Sequence, residues 1–243
     1  MPDPLIKVVA EIASTNSALL ARLAEGEAPR EGHWLVADRQ TAGRGRAGRV
    51  WTGGYGNFMG STAVALRDGE MLPQTLALVA GVSVHRALLA VAPDLAGLML
   101  KWPNDLLVGE AKLGGILLER QRDAVIVGIG VNLAEAPEVP GRRTLSLAAL
   151  GHGVSRDAFA SALAEAWAED LTAWHGGGWP VLREAWLGRA LPKGTMLGAN
   201  LTEEGHVIGA FAGLEPDGAV LLRLADGAVR AIHAGDVELI GQS

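Results

Sequence analysis

No regular element accommodates the stretch Gln40-Thr-Ala-Gly-Arg-Gly-Arg-Ala-Gly-Arg-Val-Trp51. Gly43, Gly45 and Gly48 alternate with Arg44, Arg46 and Arg49. Each glycine adds backbone freedom that a helix or strand would have to remove. The chain must therefore pass through a loop here, with ordered structure built on either side. Glycine also lets a backbone approach a ligand closely, and the planar guanidinium fork matches phosphate and carboxylate. The expectation is a mobile loop that closes over a ligand carrying at least one phosphate.

Plainer readings compete. A Gly/Arg run can be a solvated basic tail. Gly43-x-Gly45-x-x-Gly48 formally matches a dinucleotide-binding fingerprint, but that motif needs a helix directly after the glycines. The next residues, Arg49-Val-Trp-Thr-Gly-Gly-Tyr-Gly-Asn57, are no helix start. No Gly-Lys-Ser/Thr closes the run as a Walker A loop would. A nucleic-acid patch is disfavoured by the acidic balance: 21 basic against 27 acidic side chains, a net charge of −6.

The flanking sequence reads as alternating elements. Leu5 to Ile12 is a strand, and Leu19, Leu20 and Leu23 mark one face of a helix after it. Ser14 or Thr15 either caps that helix or offers its hydroxyl to a polar ligand at the helix N-terminus. His33 to Arg39 is a second strand, and it delivers Gln40. Asn57 to Leu66 is a third. Pro73 to Val91 is a long, mostly buried helix with its proline near the start. Leu98 to Trp102 is a strand stopped by Pro103, and Lys101-Trp-Pro-Asn-Asp105 occupies its end. A lysine entering the end of an apolar strand needs an anion to meet it. The alternative is a Pro-Asn-Asp turn with a surface lysine.

Ala111–Glu119 and Ala124–Asn132 read as paired central strands. Gly114, Gly115, Gly128 and Gly130 within them suggest that something flat lies against the sheet. Ser155 to His175 is an alanine-rich helix with Trp167 and Trp174 on its core face. Gly176 to Pro180 breaks it, and a short helix runs from Val181 to Leu187. Beyond about residue 190, short apolar stretches alternate with turn signals at Glu203-Glu-Gly, Glu215-Pro-Asp-Gly and Ala225-Asp-Gly. That pattern indicates a small all-β unit such as an SH3-like barrel. The expected division is 1–189 and 190–243.

Composition excludes other chemistries. Without cysteine there is no disulfide, thiolate metal site or cysteine nucleophile. The six histidines are scattered without metal-ligand spacing. No uninterrupted apolar run approaches the ~20 residues of a membrane span, and Met-Pro-Asp-Pro lacks a signal pattern. A cytoplasmic chain with no membrane role is expected.

Five motifs occur in order: Ser14-Thr15-Asn16; Gly43-Arg-Gly-Arg-Ala-Gly-Arg49 with Trp51; Lys101-Trp-Pro-Asn-Asp105; Lys112-Leu-Gly-Gly-Ile-Leu117; and Gly128-Ile-Gly-Val-Asn132. Together, and followed by a short β unit, they resemble the biotin protein ligases over essentially the whole chain. The resemblance implies an α+β fold: a mixed sheet flanked by helices, like a class II synthetase, with a C-terminal SH3-like barrel. It implies that biotin and MgATP give biotinyl-5′-AMP and pyrophosphate, and that a lysine of a biotin carboxyl carrier protein domain then takes the biotinyl group.

By the same resemblance Lys101 and Arg46 are the catalytic cations. Ser14, Thr15, Asn16, Gln40, Gly43, Arg44, Arg46, Lys101, Lys112 and Gly115 bind biotin, while Arg49, Trp51, Asn132 and Lys101 bind the nucleotide. Magnesium ligands are not identified; Asp105 either helps place the ion or belongs to a turn. A homodimer is implied only by the resemblance. Some members carry an N-terminal DNA-binding domain, whereas this sequence opens at the first catalytic strand, so no DNA role is expected. Thr52-Gly-Gly stands where the family often has Ser-Pro after the loop tryptophan. The alternative reading is a lipoate–protein ligase, which shares the fold and chemistry.

Overall fold

The computed structural model describes residues 5–67, 72–201 and 205–240. Two sheets organise the chain. The first has seven strands in the order β1-β2-β3-β7-β6-β5-β4. They are β1 Leu5–Ile12, β2 His33–Gln40, β3 Phe58–Ala65, β4 Leu98–Lys101, β5 Asp105–Val108, β6 Ala111–Gln121 and β7 Ala124–Val131. Only β1 and β2 run parallel; every other neighbouring pair is antiparallel. The sheet is therefore mixed, as the family resemblance implies.

Alternation along β7 decides the rest. Val125, Val127, Ile129 and Val131 join the main core, where helices α2 (Leu76–Val91) and α3 (Arg156–His175) cover the sheet. Trp34, Phe58, Phe159 and Trp167 meet edge to face there. Trp167 is fully buried, and truncating such a ring to alanine costs about 3–5 kcal/mol. The other face of β7 carries Ile126, Gly128, Gly130 and then Asn132. Helix α1 (Thr15–Ala24) packs Leu19, Leu20 and Leu23 over Ile126 and Ala63 on that side. It leaves the glycine end of the face to the loops.

α2 is buried on nearly every side. Its segment Pro73–Val91 is apolar enough by length and composition to cross a membrane, yet it is packed into the main core beside α3. Helix α4 spans Trp179–Leu187 and starts two residues before the expected Val181. The reason is that Pro180 sits in its first turn, where a missing N–H costs nothing.

The second sheet has five antiparallel strands in the order β11-β10-β9-β8-β12. They are β8 Met196–Leu201, β9 Gly205–Leu214, β10 Val220–Arg223, β11 Val229–Ile232 and β12 Asp236–Leu239. No pairing of β11 with β12 closes it among the described residues. Of the expected turns, Glu203-Glu lies outside the described residues, while the turns at Glu215–Gly218 and Asp226–Gly227 join β9 to β10 and β10 to β11. This sheet is fastened to the preceding part of the chain by side chains: Trp102 Nε1, just past β4, donates to Gly218 O at 2.9 Å, and Trp179 Nε1 of α4 donates to Pro216 O at 2.6 Å. One continuous apolar cluster runs through both sheets.

Candidate active site

A cavity of about 400 Å³ opens over the glycine face of the first sheet. Its walls come from parts of the chain far apart in sequence. Ser14, Thr15, Asn16 and Gln40 form one end. Ser14 does both of the things open to it, capping α1 by accepting from Ser17 N at 3.3 Å and lining the cavity. Two of the N–H groups at the helix start are already engaged. Thr15 N donates to Gln40 Oε1 at 2.7 Å, and Ser17 N is used by the cap. Gln40 lines the cavity, and with Oε1 accepting from Thr15 its amide N–H₂ is the donor left over.

The Gly/Arg stretch folds into a compact hairpin. Arg44 bridges to Val50, and Gly43 O accepts from Trp51 N at 3.0 Å. A short 3₁₀ turn, Arg46–Gly48, forms its tip. Gly43 sits at the neck and does not line the cavity; Arg44, Arg46, Arg49 and Trp51 do. Each arginine is held by residues outside the hairpin. Arg44 pairs with Glu119 at 2.9 Å. Arg46 donates to Asn104 Oδ1 at 3.2 Å and to Gly235 O at 3.1 Å. Arg49 meets Asp236 at 2.8 Å. Burial lowers the Arg46 guanidinium from its ordinary value, against the pull of the Asp236 and Asp105 carboxylates. Arginine stays charged regardless.

The flat object expected against the glycines is the Trp51 indole. A Cβ at Gly130 would overlap its ring, and the Lys112 ammonium sits 5.8 Å from the ring centroid. Its Nε1 is buried without a hydrogen-bond partner, as is Asn132 Oδ1. Asn132 Nδ2 is engaged, donating to Leu145 O at 3.2 Å. Two unpaired buried groups, a donor and an acceptor, on one cavity wall are costly in isolation. They suit a polar ligand edge.

A second cavity adjoins the first and shares Arg46, Arg49, Asn104, Lys112 and Arg142 as its wall. Lys101 lines this second cavity and not the first. The anion its strand position demands is Asp105 Oδ2 at 2.8 Å, and its ammonium also donates to Val237 O at 2.6 Å. Lys112 holds the other Asp105 oxygen. Burial alone would raise the Asp105 carboxyl, but the two ammoniums outweigh it and hold it at about 2. Burial also lowers Lys112 below the ordinary lysine value, with Asp105 opposing. Asp105 thus opens β5 as the shared counter-ion of two lysines.

Sequence reasoning missed three features. Arg142 and Thr144 line the cavity from the loop after Asn132, with Pro137, Val139 and Pro140 beside them; the paired arginines in a Pro/Gly loop were the available signal. Asn104, though inside a motif, receives Arg46 as noted above. Glu119 gave no signal, since it reads as the polar end of a strand.

Magnesium does not fit these side chains as a resident ion. No group of three or more metal-binding side chains occurs among the described residues. The nearby carboxylates Asp105, Asp236 and Glu119 each already face a cation.

Residues 8–133 match the Biotin/lipoate A/B protein ligase family, and residues 200–240 match the Biotin protein ligase C terminal domain. The biotin–[acetyl-CoA-carboxylase] ligase of Paracoccus denitrificans is 37% identical over 228 residues, covering 89% of this chain and 93% of that protein. The Mycobacterium tuberculosis ligase of the same name is 35% identical, covering 96% and 88%. The solved structure of the Aquifex aeolicus biotin protein ligase in complex with biotin and ATP superposes with a TM-score of 0.83 at 27% identity, covering 97% of this chain and 99% of that one. The chain belongs to the biotin/lipoate A/B protein ligase family, among its biotin protein ligases.

Proposed function

We propose that the chain activates biotin with MgATP to biotinyl-5′-AMP and transfers the biotinyl group to a lysine of a biotin carboxyl carrier protein domain. The observation that carries this reading is one cavity with neutral hydrogen-bonding groups, Thr15 and Gln40, at one end and the cations Arg46, Arg49, Lys112 and Arg142 on the wall it shares with a second cavity. That distribution suits a molecule with a polar uncharged head and an anionic tail beside a polyphosphate.

In the first step a biotin carboxylate oxygen attacks the α-phosphorus, and the bond to the bridging oxygen of pyrophosphate breaks. Two anions must approach, so cations that are fixed beforehand stabilise the transition state. No general base is required, because the biotin carboxylate is ionised at neutral pH. Arg46 and Lys112 face the reacting carboxylate and α-phosphate in this reading. Lys101 and Arg49 serve the phosphates from the adjoining cavity. Two of the three Lys101 donors are spent on Asp105 and Val237 O, which leaves one for an anion. Magnesium arrives on the nucleotide as part of the substrate.

In the second step a neutral carrier-lysine amine attacks the acyl carbon, and AMP leaves with the anhydride oxygen. The anhydride hydrolyses readily in water, so the hairpin and Trp51 protect it by covering it. Trp51 and Asn132 hold the nucleotide, and Gly115 contributes floor. The division at residue 189, placed between the last helix of the first part and the first strand of the second sheet, separates catalytic and C-terminal parts. The site of action is the cytoplasm, where ATP is available. A homodimer is the assembly that the family resemblance implies, and sedimentation of the purified chain checks it.

The test is incubation with MgATP, an apo carrier domain of a biotin-dependent carboxylase and either biotin or lipoate. A single lysine gaining the mass of a biotinyl group supports the reading. Modification only with lipoate would overturn it.

A further inference from the structure

We propose that Glu119 is a positioning residue that sets the direction of a buried hydrogen-bond chain, so that Thr15 presents an acceptor and not a donor to the ligand. The inference rests on the reading that biotin's ureido head occupies the Thr15–Gln40 end of the cavity.

The chain can be followed atom by atom. Glu119, on β6, does not line the cavity. Its Oε2 accepts from Asn16 Nδ2 at 2.9 Å. A carboxylate only accepts, so Asn16 must turn its amide N–H₂ toward Glu119 and its Oδ1 away. Asn16 Oδ1 then accepts from Ser61 Oγ at 2.6 Å. Gly128 makes this possible, because a Cβ there would overlap Asn16 Oδ1. Ser61 has one hydroxyl proton, and it is now used. Ser61 Oγ and Thr15 Oγ1 are 2.6 Å apart, so the proton between them has to come from Thr15. Thr15 Oγ1 also lies 3.2 Å from Gln40 Oε1, but its single proton goes to the shorter contact.

Thr15 is left with unshared lone pairs, and Gln40 with an amide donor. A urea offers the complement: N–H for Thr15 and C=O for Gln40. All three links (Thr15, Asn16 and Ser61) are at least 96% buried, so water does not scramble the order. With glutamine in place of Glu119 the order is no longer imposed. The amide donor of that glutamine lets Asn16 flip, Ser61 donate to Thr15, and the Thr15 proton turn toward the ligand's own N–H. Glu119 also pairs with Arg44 at 2.9 Å, which gives a rival route for any effect.

The experiment is calorimetric titration of biotin into the full chain, with biotin KM and kcat from pyrophosphate exchange. Glu119→Gln is expected to weaken biotin about tenfold, the scale of one misdirected buried hydrogen bond. The loss should appear in biotin KM with kcat within about twofold. Glu119→Asp, still acceptor-only, should recover part of it. In a Thr15→Val background Glu119→Gln should add nothing, whereas in an Arg44→Ala background it should keep its full effect. Wild-type affinity in Glu119→Gln, or losses that multiply with Thr15→Val, would overturn the proposal. So would an effect that vanishes with Arg44→Ala. Absence of biotin binding by the unaltered chain would instead overturn the assignment of biotin, and this inference with it.

Discussion

Arg49 and Asp236 meet at 2.8 Å across 187 residues of sequence, tying the tip of the Gly/Arg hairpin to the first residue of β12. Both side chains are more than a third exposed, so the pair contributes at most about 1 kcal/mol to stability. Its consequence is positional. Asp236→Ala should leave the unfolding free energy within about 1 kcal/mol of wild type, while the adenylate escapes several-fold faster. Release of labelled adenylate, measured beside a denaturation curve, checks both halves.

Asp105 faces two ammoniums, Lys101 and Lys112, in a mostly buried setting. Asp105→Asn leaves those charges uncompensated and should cost about 3 kcal/mol near neutral pH. The sign with pH is set by the depressed carboxyl at about 2. A folded-state value below the unfolded one stabilises fully above about pH 4, and this is lost as pH falls through about 2. Denaturation curves between about pH 6 and about pH 2 should show the gap between wild type and Asp105→Asn closing on the acid side.

Lys112 is lowered by burial and held up in part by Asp105. Its charge, and with it adenylate formation, should be lost on the alkaline side below the pH at which a free lysine titrates. Removing Asp105 removes the group that favours the charged form, so in Asp105→Asn that limb moves to lower pH. Lys112→Arg should move it upward. Rate profiles from about pH 7 to about pH 11 test both directions.

Gly128 and Gly130 lie two residues apart on one face of β7, under different ends of the cavity. A Cβ at Gly128 collides with Asn16, and one at Gly130 collides with Trp51. Gly128→Ala should raise the KM for biotin about tenfold or more, leaving that for ATP less affected. Gly130→Ala should do the reverse. Exchange kinetics with each substrate varied in turn separate the two.

Most elements were legible because their signals are local. The apolar run of β7 with its glycines, the Ser14 or Thr15 cap and the apolar stripe of α1 all lie within a few residues, and the motif order reflects strand ends that converge on one sheet face. What stayed hidden depends on distant partners. Lys101 donates to Val237 O, 136 residues away, and nothing near Lys101 encodes β12. Glu119 became visible only once the fold brought Asn16 and Arg44 to it. The start of α4 was misplaced because Pro180 has one identity and two uses, helix breaker and first-turn residue. The Gly/Arg loop is seen here as a hairpin whose Arg44, Arg46 and Arg49 each find a partner outside it.

The most direct test of the central claim is ATP–pyrophosphate exchange with the purified chain, magnesium and either biotin or lipoate. Exchange is expected to require biotin, to ignore lipoate and to fall at least about a hundredfold in Lys101→Ala with the fold retained. Exchange supported by lipoate alone, or a wild-type rate in Lys101→Ala, would contradict it.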